Sequence, residues 1–320
     1  MRIPVMLGVS VAASWAWGTS LIVGMEIARQ KGLGAWLIWA VANAGTLAVF
    51  GALTRTGFLA RHVFDKKPIK IAALAIQVFC LVIQLNIIYK VLIEIGLTGG
   101  TSYGIASAVG IIFTGLMYRQ GLRTSILTDL YQWFIAIGAI VGIIILGVLT
   151  TAENTIYPAS SGGDLLWGVW SACILLAGPI GDVQHWQRAE FAGRSKAFTY
   201  GALFFAAYMA LVLAMSYFTF SPEMNVILLL AVLCITSSTI DSIAVAMHEI
   251  ANKRVGTCVA LFICLSWGVF ADIGIIELWS KAGVYRVGFA IVILSLAVYS
   301  VRKRKREAEH GIRKSEAKRP

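Results

Sequence analysis

The sequence predicts an all-α membrane protein of ten transmembrane helices. Three observations carry this. Of 320 residues, 58% are hydrophobic and 13% charged, against roughly 45–50% and 25% in soluble domains. The apolar residues fall into ten stretches, each close to the ~20 residues that a bilayer-crossing helix needs. The basic residues gather in alternate links between those stretches. A mean hydropathy of +0.80 excludes an ordinary soluble enzyme, a disordered chain and a nucleic-acid-binding domain, although the net charge is +11. The five cysteines, Cys80, Cys173, Cys234, Cys258 and Cys264, all sit in apolar runs without CxxC spacing. They indicate neither a disulfide framework nor a zinc site.

The first stretch, 4–28, lacks the short apolar core and cleavage site of a secretory signal and reads as a mature span. Stretches 33–54, 71–96 and 100–118 follow, then 124–150, which carries Asp129. The sixth, 163–190, contains Pro179, the one proline of six that lies deep within a span. After 197–219 comes 224–250, rich in hydroxyl side chains; then 256–278 and 283–301, the last ending at a basic run. The links are too short for a separate folded domain. One transporter-like domain, 1–301, with halves of about 1–150 and 163–301, is followed by a basic tail, 302–320.

Positive charge sets orientation. With the N-terminus inside, the inside segments hold Arg2; Arg55, Arg61, Lys66, Lys67 and Lys70; Arg119 and Arg123; Arg188, Arg194 and Lys196; Lys253 and Arg254; and nine residues of the tail, 22 in all. The outside segments hold 4: Arg29, Lys31, Lys281 and Arg286. Lys90 lies within a span. The loop around Glu153 has no Lys or Arg between Thr150 and Gly163, as suits an outside loop. Both termini are therefore expected in the cytoplasm. The predicted outside loops lack glycosylation sequons, which suits a bacterial inner membrane. The run Arg302–Arg306 reads first as a stop-transfer flank and solvated tail, and second as a contact for anionic lipid.

Ten spans divide at the loop near 151–162 into five and five. Five is odd, so the halves enter the membrane from opposite sides, which permits an inverted repeat with a site at broken helices in matching positions. The first span of each half fits. Val9–Ser20 places Ser10, Ser14, Gly18, Thr19 and Ser20 at mid-membrane depth, and Leu176–Asp182 reads Leu-Ala-Gly-Pro-Ile-Gly-Asp. Proline removes an amide donor and glycine relieves the bend; a plain kink in a packing helix is the alternative.

Charges inside spans are costly and are usually paired or functional. The mid-span acids are Asp129, Asp182, Asp241 and Asp272. Glu26, Glu94, Glu249, Glu277, Lys90 and Arg286 lie nearer predicted ends, where snorkelling suffices, and Lys90 with Glu94 has pair spacing. His185 and His248 are isolated and are expected to be hydrogen-bonded packing groups. Thr236-Ser237-Ser238-Thr239-Ile240-Asp241-Ser242 sets five hydroxyls and a carboxylate within seven residues. Those oxygens suit a hard cation such as sodium, with carbonyls of an unwound first span supplying the remainder.

Four segments together resemble the sodium/solute symporter family, whose members import sugars, proline, urea, pantothenate and monocarboxylates with sodium. Gly121-Leu122-Arg123 with Thr128-Asp129-Leu130-Tyr131-Gln132 is similar to its fifth core helix. Asp182-Val183-Gln184-His185-Trp186-Gln187-Arg188 is similar to its sixth, with Val183 where glutamine is usual. Ser238-Thr239-Ile240-Asp241-Ser242 resembles its eighth, and Ala13-Ser14 with Gly18 and Gly32 its first. The resemblance covers about 10–250. It implies a LeuT-type fold, here the ten-helix core without the family's flanking helices.

The resemblance further implies sodium as coupling ion, no other cofactor, and a small organic solute as partner. Sodium would be held by the carbonyls of Ala13, Ala16 and Ile235 and the hydroxyls of Ser238 and Thr239, with Asp129 facing its exit path. Solute would meet Ser14, Trp15, Trp17, Gly18, Gln84, Gly178, Gly181 and Asp182. Trp15 and Trp17 would line a pocket for an aromatic or cationic solute, or fill the cavity of a carrier that has lost its solute. The function so implied is sodium-coupled import by alternating access. The rivals are a sodium-independent ten-helix carrier of the drug/metabolite-exporter kind and a membrane solute sensor. No nucleophile–base or metal-ligand spacing suggests an enzyme.

Overall fold

The computed structural model describes residues 3–59, 66–150, 154–193 and 195–316. Arg2, Arg61, Glu153, Arg194, Lys318 and Arg319, which enter the charge reading, lie outside the described residues. The fold is all-α, with no strand among the described residues. Among the described residues, nine helices are long and apolar enough to cross a membrane, and a shorter apolar one, Pro4–Trp15, precedes them. The protein is a multi-pass membrane protein by these criteria.

Helix α1, Ile3–Trp15, stops at the pair Ala16-Trp17, and α2, Gly18–Arg55, restarts at once. Helix α2 bends at Gly32, where φ is 79°. A Cβ there would also meet the Pro158 carbonyl oxygen at 2.1 Å, so only glycine serves. Ser160 satisfies groups that the bend frees: its Oγ donates to Lys31 O (2.7 Å) and accepts from the Ala35 amide (3.1 Å).

Helix α3, Lys67–Glu94, opens with Pro68, tolerated where the amide has no helical partner. Helix α4, Gly99–Gln120, is capped by Thr98. Gly121, at φ 72°, turns the chain into α5, Leu122–Leu149. Ser161 and Asp164 form a reciprocal capping box that starts α6, Gly162–Gly181. Asp182 is extended, at φ −107° and ψ 106°, and separates α6 from α7, Val183–Ala192.

Then follow α8, Ala197–Ser216, and α9, Pro222–Ala251, capped by Ser221. Helix α10, Lys253–Ser266, tightens into a 3-10 turn, Trp267–Phe270, and α11 runs from Ile275 to Glu316. The ninth and tenth apolar stretches therefore divide at 271–274 rather than near 280. Asp272 falls in that exposed connection, so it is not the mid-span acid expected from the sequence. Trp267 pulls the chain inward there: it is 1% exposed and donates to Ser107 Oγ (3.0 Å).

Helices α3 and α9 are the inner pair. In each, 67% of the apolar window is buried, against 22% for the α10 window and 28% for α11. Helix α9 packs against α3, α4, α5 and α10; α2 packs against α6 and α8; α1 packs against α8, α5 and α9. The outward faces carry apolar and aromatic side chains such as Tyr131, Leu149 and Val269, at 72%, 75% and 80% exposed. This is the surface a bilayer solvates.

Candidate functional site

Two breaks, Ala16-Trp17 and Asp182, leave backbone groups that a continuous helix would have consumed. At the first, the Trp17 amide bonds to Trp15 O (2.8 Å), the Gly18 amide to Gln84 Oε1 (3.1 Å), and the Ser20 amide to Trp17 O (2.7 Å). In an unbroken helix these three amides would serve the carbonyls of Ala13, Ser14 and Ala16, four residues earlier. All three carbonyls are thereby released. Ser14 O gains a side-chain donor, Gln184 Nε2, at 3.5 Å. Ala13 and Ala16 are 2% and 0% exposed.

Helix α9 passes this break. A Cβ on Gly18 would strike Thr236 Cγ2 at 2.7 Å. Ile235, Ser238 and Thr239 are at most 3% exposed. Thr239 Oγ1 donates to Ile235 O (3.1 Å), and Ser238 Oγ donates to Asp129 Oδ1 (2.6 Å). Both hydroxyl hydrogens are committed to other oxygens, so their lone pairs are what remains for a cation. The α5 and α9 segments lie side by side: Thr128 Oγ1 donates to Asp241 Oδ2 (3.0 Å), Asp129 accepts from Ser238, and Gln132 Nε2 donates to Ser237 Oγ (2.9 Å).

Asp129 also holds a second set of partners. Arg188 Nη2 lies 2.7 Å from its Oδ2, with both side chains fully buried. Ser10 Oγ donates to the same oxygen (2.5 Å). The guanidinium is further engaged by Ser10 Oγ (3.0 Å), Gln184 O (3.2 Å) and Ser242 Oγ (2.8 Å). Asp129 and Arg188 thus tie α1, α5, α7 and α9 together. A buried charge pair of this kind persists only when further hydrogen bonds complete it, and here they do.

The second break gathers most of the other candidates. Asp182 accepts from Gln77 Nε2 (3.0 Å) and Gln184 Nε2 (2.7 Å). Trp186 Nε1 caps Ile180 O (2.9 Å) near the end of α6. The edge of the Trp15 indole abuts Gly178, whose Cβ would fall 2.3 Å from Cη2, and Trp15 Nε1 donates to Asn43 O (2.9 Å). Gln84 holds Gly18, as described. Gly181 faces Phe289 and Ile76. Ser14 Oγ merely bonds back to Val11 O (3.1 Å). A cavity of about 10 Å³ remains among Trp15, Trp17, Trp39, Asn43, Trp279 and Arg286, room for about one water.

Several expectations are corrected. Arg188 and Arg286, assigned to an inside and an outside segment, are 0% and 4% exposed. The charge asymmetry rests on the remaining residues. Arg286 does not snorkel: its guanidinium carbon sits 4.1 Å from the Trp17 ring centroid. His185 is not hydrogen-bonded through its side chain. It packs 5.1 Å from the Trp15 ring, and neither ring nitrogen has a partner among the described residues. His248 does bond, to Thr257 Oγ1 (2.8 Å). Among residues not singled out as site candidates, Ser10 and Arg188 join the Asp129 cluster, Gln77 joins the Asp182 cluster, Gln184 bonds in both, and Arg286 covers Trp17. Their signal was polarity inside a span.

Searches against protein-family models and against curated proteins find no match.

Proposed function

We propose that this protein is a sodium-coupled symporter of the sodium/solute symporter kind, importing a small organic solute by alternating access. The observation that carries the proposal is the release of the Ala13 and Ala16 carbonyls at the α1–α2 break, which α9 passes at Thr236, two and three residues before the hydroxyls of Ser238 and Thr239. Carbonyl and hydroxyl oxygens at a helix break supply a hard cation with ligands at membrane depth. Sodium then bridges α1 and α9. Solute binds between the breaks and α3, against Trp15, Trp17, Gln84 and Asp182.

On this reading the chain is two inverted sets of five spans, with the Ala16-Trp17 and Asp182 breaks in matching positions. It sits in a bacterial inner membrane with both termini in the cytoplasm. Coupling requires that sodium prefer one state over the other. Asp129 supplies the preference: it touches α1 through Ser10 and α9 through Ser238, so parting those helices removes a ligand shell.

A second reading is favoured by one observation. The Arg188 guanidinium already neutralises Asp129, as a fixed cation would in a carrier that needs no sodium. Binding of ²²Na⁺ to purified protein separates the two. Symport predicts saturable binding, displaced by unlabelled sodium but not by potassium, and abolished by Ser238→Ala with Thr239→Ala. Wild-type binding that survives the double substitution contradicts the assigned ion site. No binding at any concentration favours the sodium-independent carrier.

A further inference from the structure

We infer that Arg286 anchors the carboxylate of a small anionic solute whose body lies among the indole rings at the first helix break. The inference deepens the transport reading above and rests on it.

A guanidinium at membrane depth is costly unless an anion meets it. The two buried arginines differ on this point. Arg188 has Asp129. Arg286, among the described residues, has no carboxylate oxygen within 4.0 Å of a nitrogen. Asp182, the buried acid of the neighbouring break, is within electrostatic reach of Arg286 but makes no direct contact with it; its oxygens accept from Gln77 and Gln184. Arg286 Nη2 reaches only the Cys80 sulfur, at 2.8 Å, a weak acceptor. Its Nε has no acceptor at all.

The surroundings repeat this imbalance. Among the described residues, Trp17 Nε1, Trp39 Nε1 and Asn43 Nδ2 are buried donors without acceptors, against one unpartnered acceptor, Asn43 Oδ1, and all three residues line the same small cavity. Trp39 and Asn43 are each 1% exposed. A group rich in acceptors and bearing negative charge satisfies such a set, and a carboxylate matches an arginine fork in geometry. Trp17, the ring on which a cationic solute would stack, is already covered by Arg286, and a second cation there meets like charge. The cavity's volume, about 10 Å³, means that solute enters only as α2, α6 and α11 separate. The aromatic rings then close on its uncharged part.

The test is thermal stability of the full-length protein in detergent with sodium present, because a ligand of the folded state raises the melting point. The probes are acetate, pyruvate, benzoate and phenylacetate; benzamide, phenylacetamide and benzylamine as uncharged and cationic counterparts; and inorganic phosphate and sulfate. The proposal expects at least one carboxylate to raise the melting point where its amide and benzylamine do not. Arg286→Gln should weaken apparent carboxylate affinity by about tenfold or more, the scale of a charge-assisted hydrogen bond, while the shift produced by sodium alone is unchanged. If Arg286→Gln fails to purify, Trp39→Phe, which removes a donor and keeps a ring, should weaken the carboxylate shift.

Equal shifts by the amide or amine, or an undiminished carboxylate shift in both variants, overturn the proposal. So does a response to phosphate or sulfate alone, which would mark an inorganic oxyanion site. A sodium shift with no carboxylate response overturns the anchor and leaves the symport reading standing; a carboxylate shift without a sodium shift does the reverse.

Discussion

Asp129 and Arg188 form a fully buried ion pair, 2.7 Å apart, that joins the N-terminal third of α5 to the helix following the second break. The aspartate is shared with Ser10 and Ser238, the guanidinium with Ser10, Ser242 and the Gln184 carbonyl. The pair is the place where the two broken segments and the hydroxyl-rich helix meet, so its condition reports on the whole site.

Removing one partner should be worse than removing both. Arg188→Gln leaves an unpaired buried carboxylate, and we expect a loss of about 3–5 kcal/mol. Combining it with Asp129→Asn should recover most of that. Denaturation of the purified variants checks this. A double variant as unstable as the single one would show that Arg188 matters by shape, not by charge.

Trp15, just before the first break, packs against Gly178, just before the second. A methyl at Gly178 would fall 2.3 Å from Trp15 Cη2, and the indole is tethered by its bond to Asn43 O. Gly178→Ala should therefore destabilise by about 1–3 kcal/mol, the range for overpacking, and Gly178→Val by more. Pairing Gly178→Ala with Trp15→Phe should restore part of the loss. Melting curves of the three variants provide the measurement; additive losses would contradict direct packing.

Orientation is open to a labelling test. Ile156 is 91% exposed in the link before α6, and Lys303 is exposed where the membrane-spanning part of α11 ends. The account expects an Ile156→Cys variant to react with a membrane-impermeant maleimide in intact cells. A Lys303→Cys variant should react only after lysis. The opposite pattern would invert the topology.

Much of this arrangement is legible in the sequence, for physical reasons. The breaks follow from Pro179 and the small residues around Gly18, because local backbone chemistry decides where a helix can stop. The pairing of Thr128-Asp129 with the Ser237–Asp241 segment follows from polarity that lipid cannot satisfy. What the sequence did not disclose was which distant group each polar residue would find. Arg286 sits near the end of an apolar stretch and looks free to snorkel. Only the folding of α11 against α3 and α6 brings it over Trp17. His185 reads as a hydrogen-bonding residue, yet rings close around it on three sides: Trp15, Phe50 and Phe198. The division at 271–274 carries no hydropathy signal, because an inward-turned Trp267 and an exposed Val269 are both apolar and interrupt no pattern.

The central claim is a sodium site formed by the broken first span and α9. Its most direct test is the melting temperature of purified protein in sodium against potassium or choline at equal ionic strength, on wild type and on Ser238→Ala with Thr239→Ala. The account predicts a sodium-specific rise that grows with concentration as binding to the folded state requires, and that disappears in the double variant. An identical melting temperature in all three salts, or a sodium rise that the double variant retains, would contradict it.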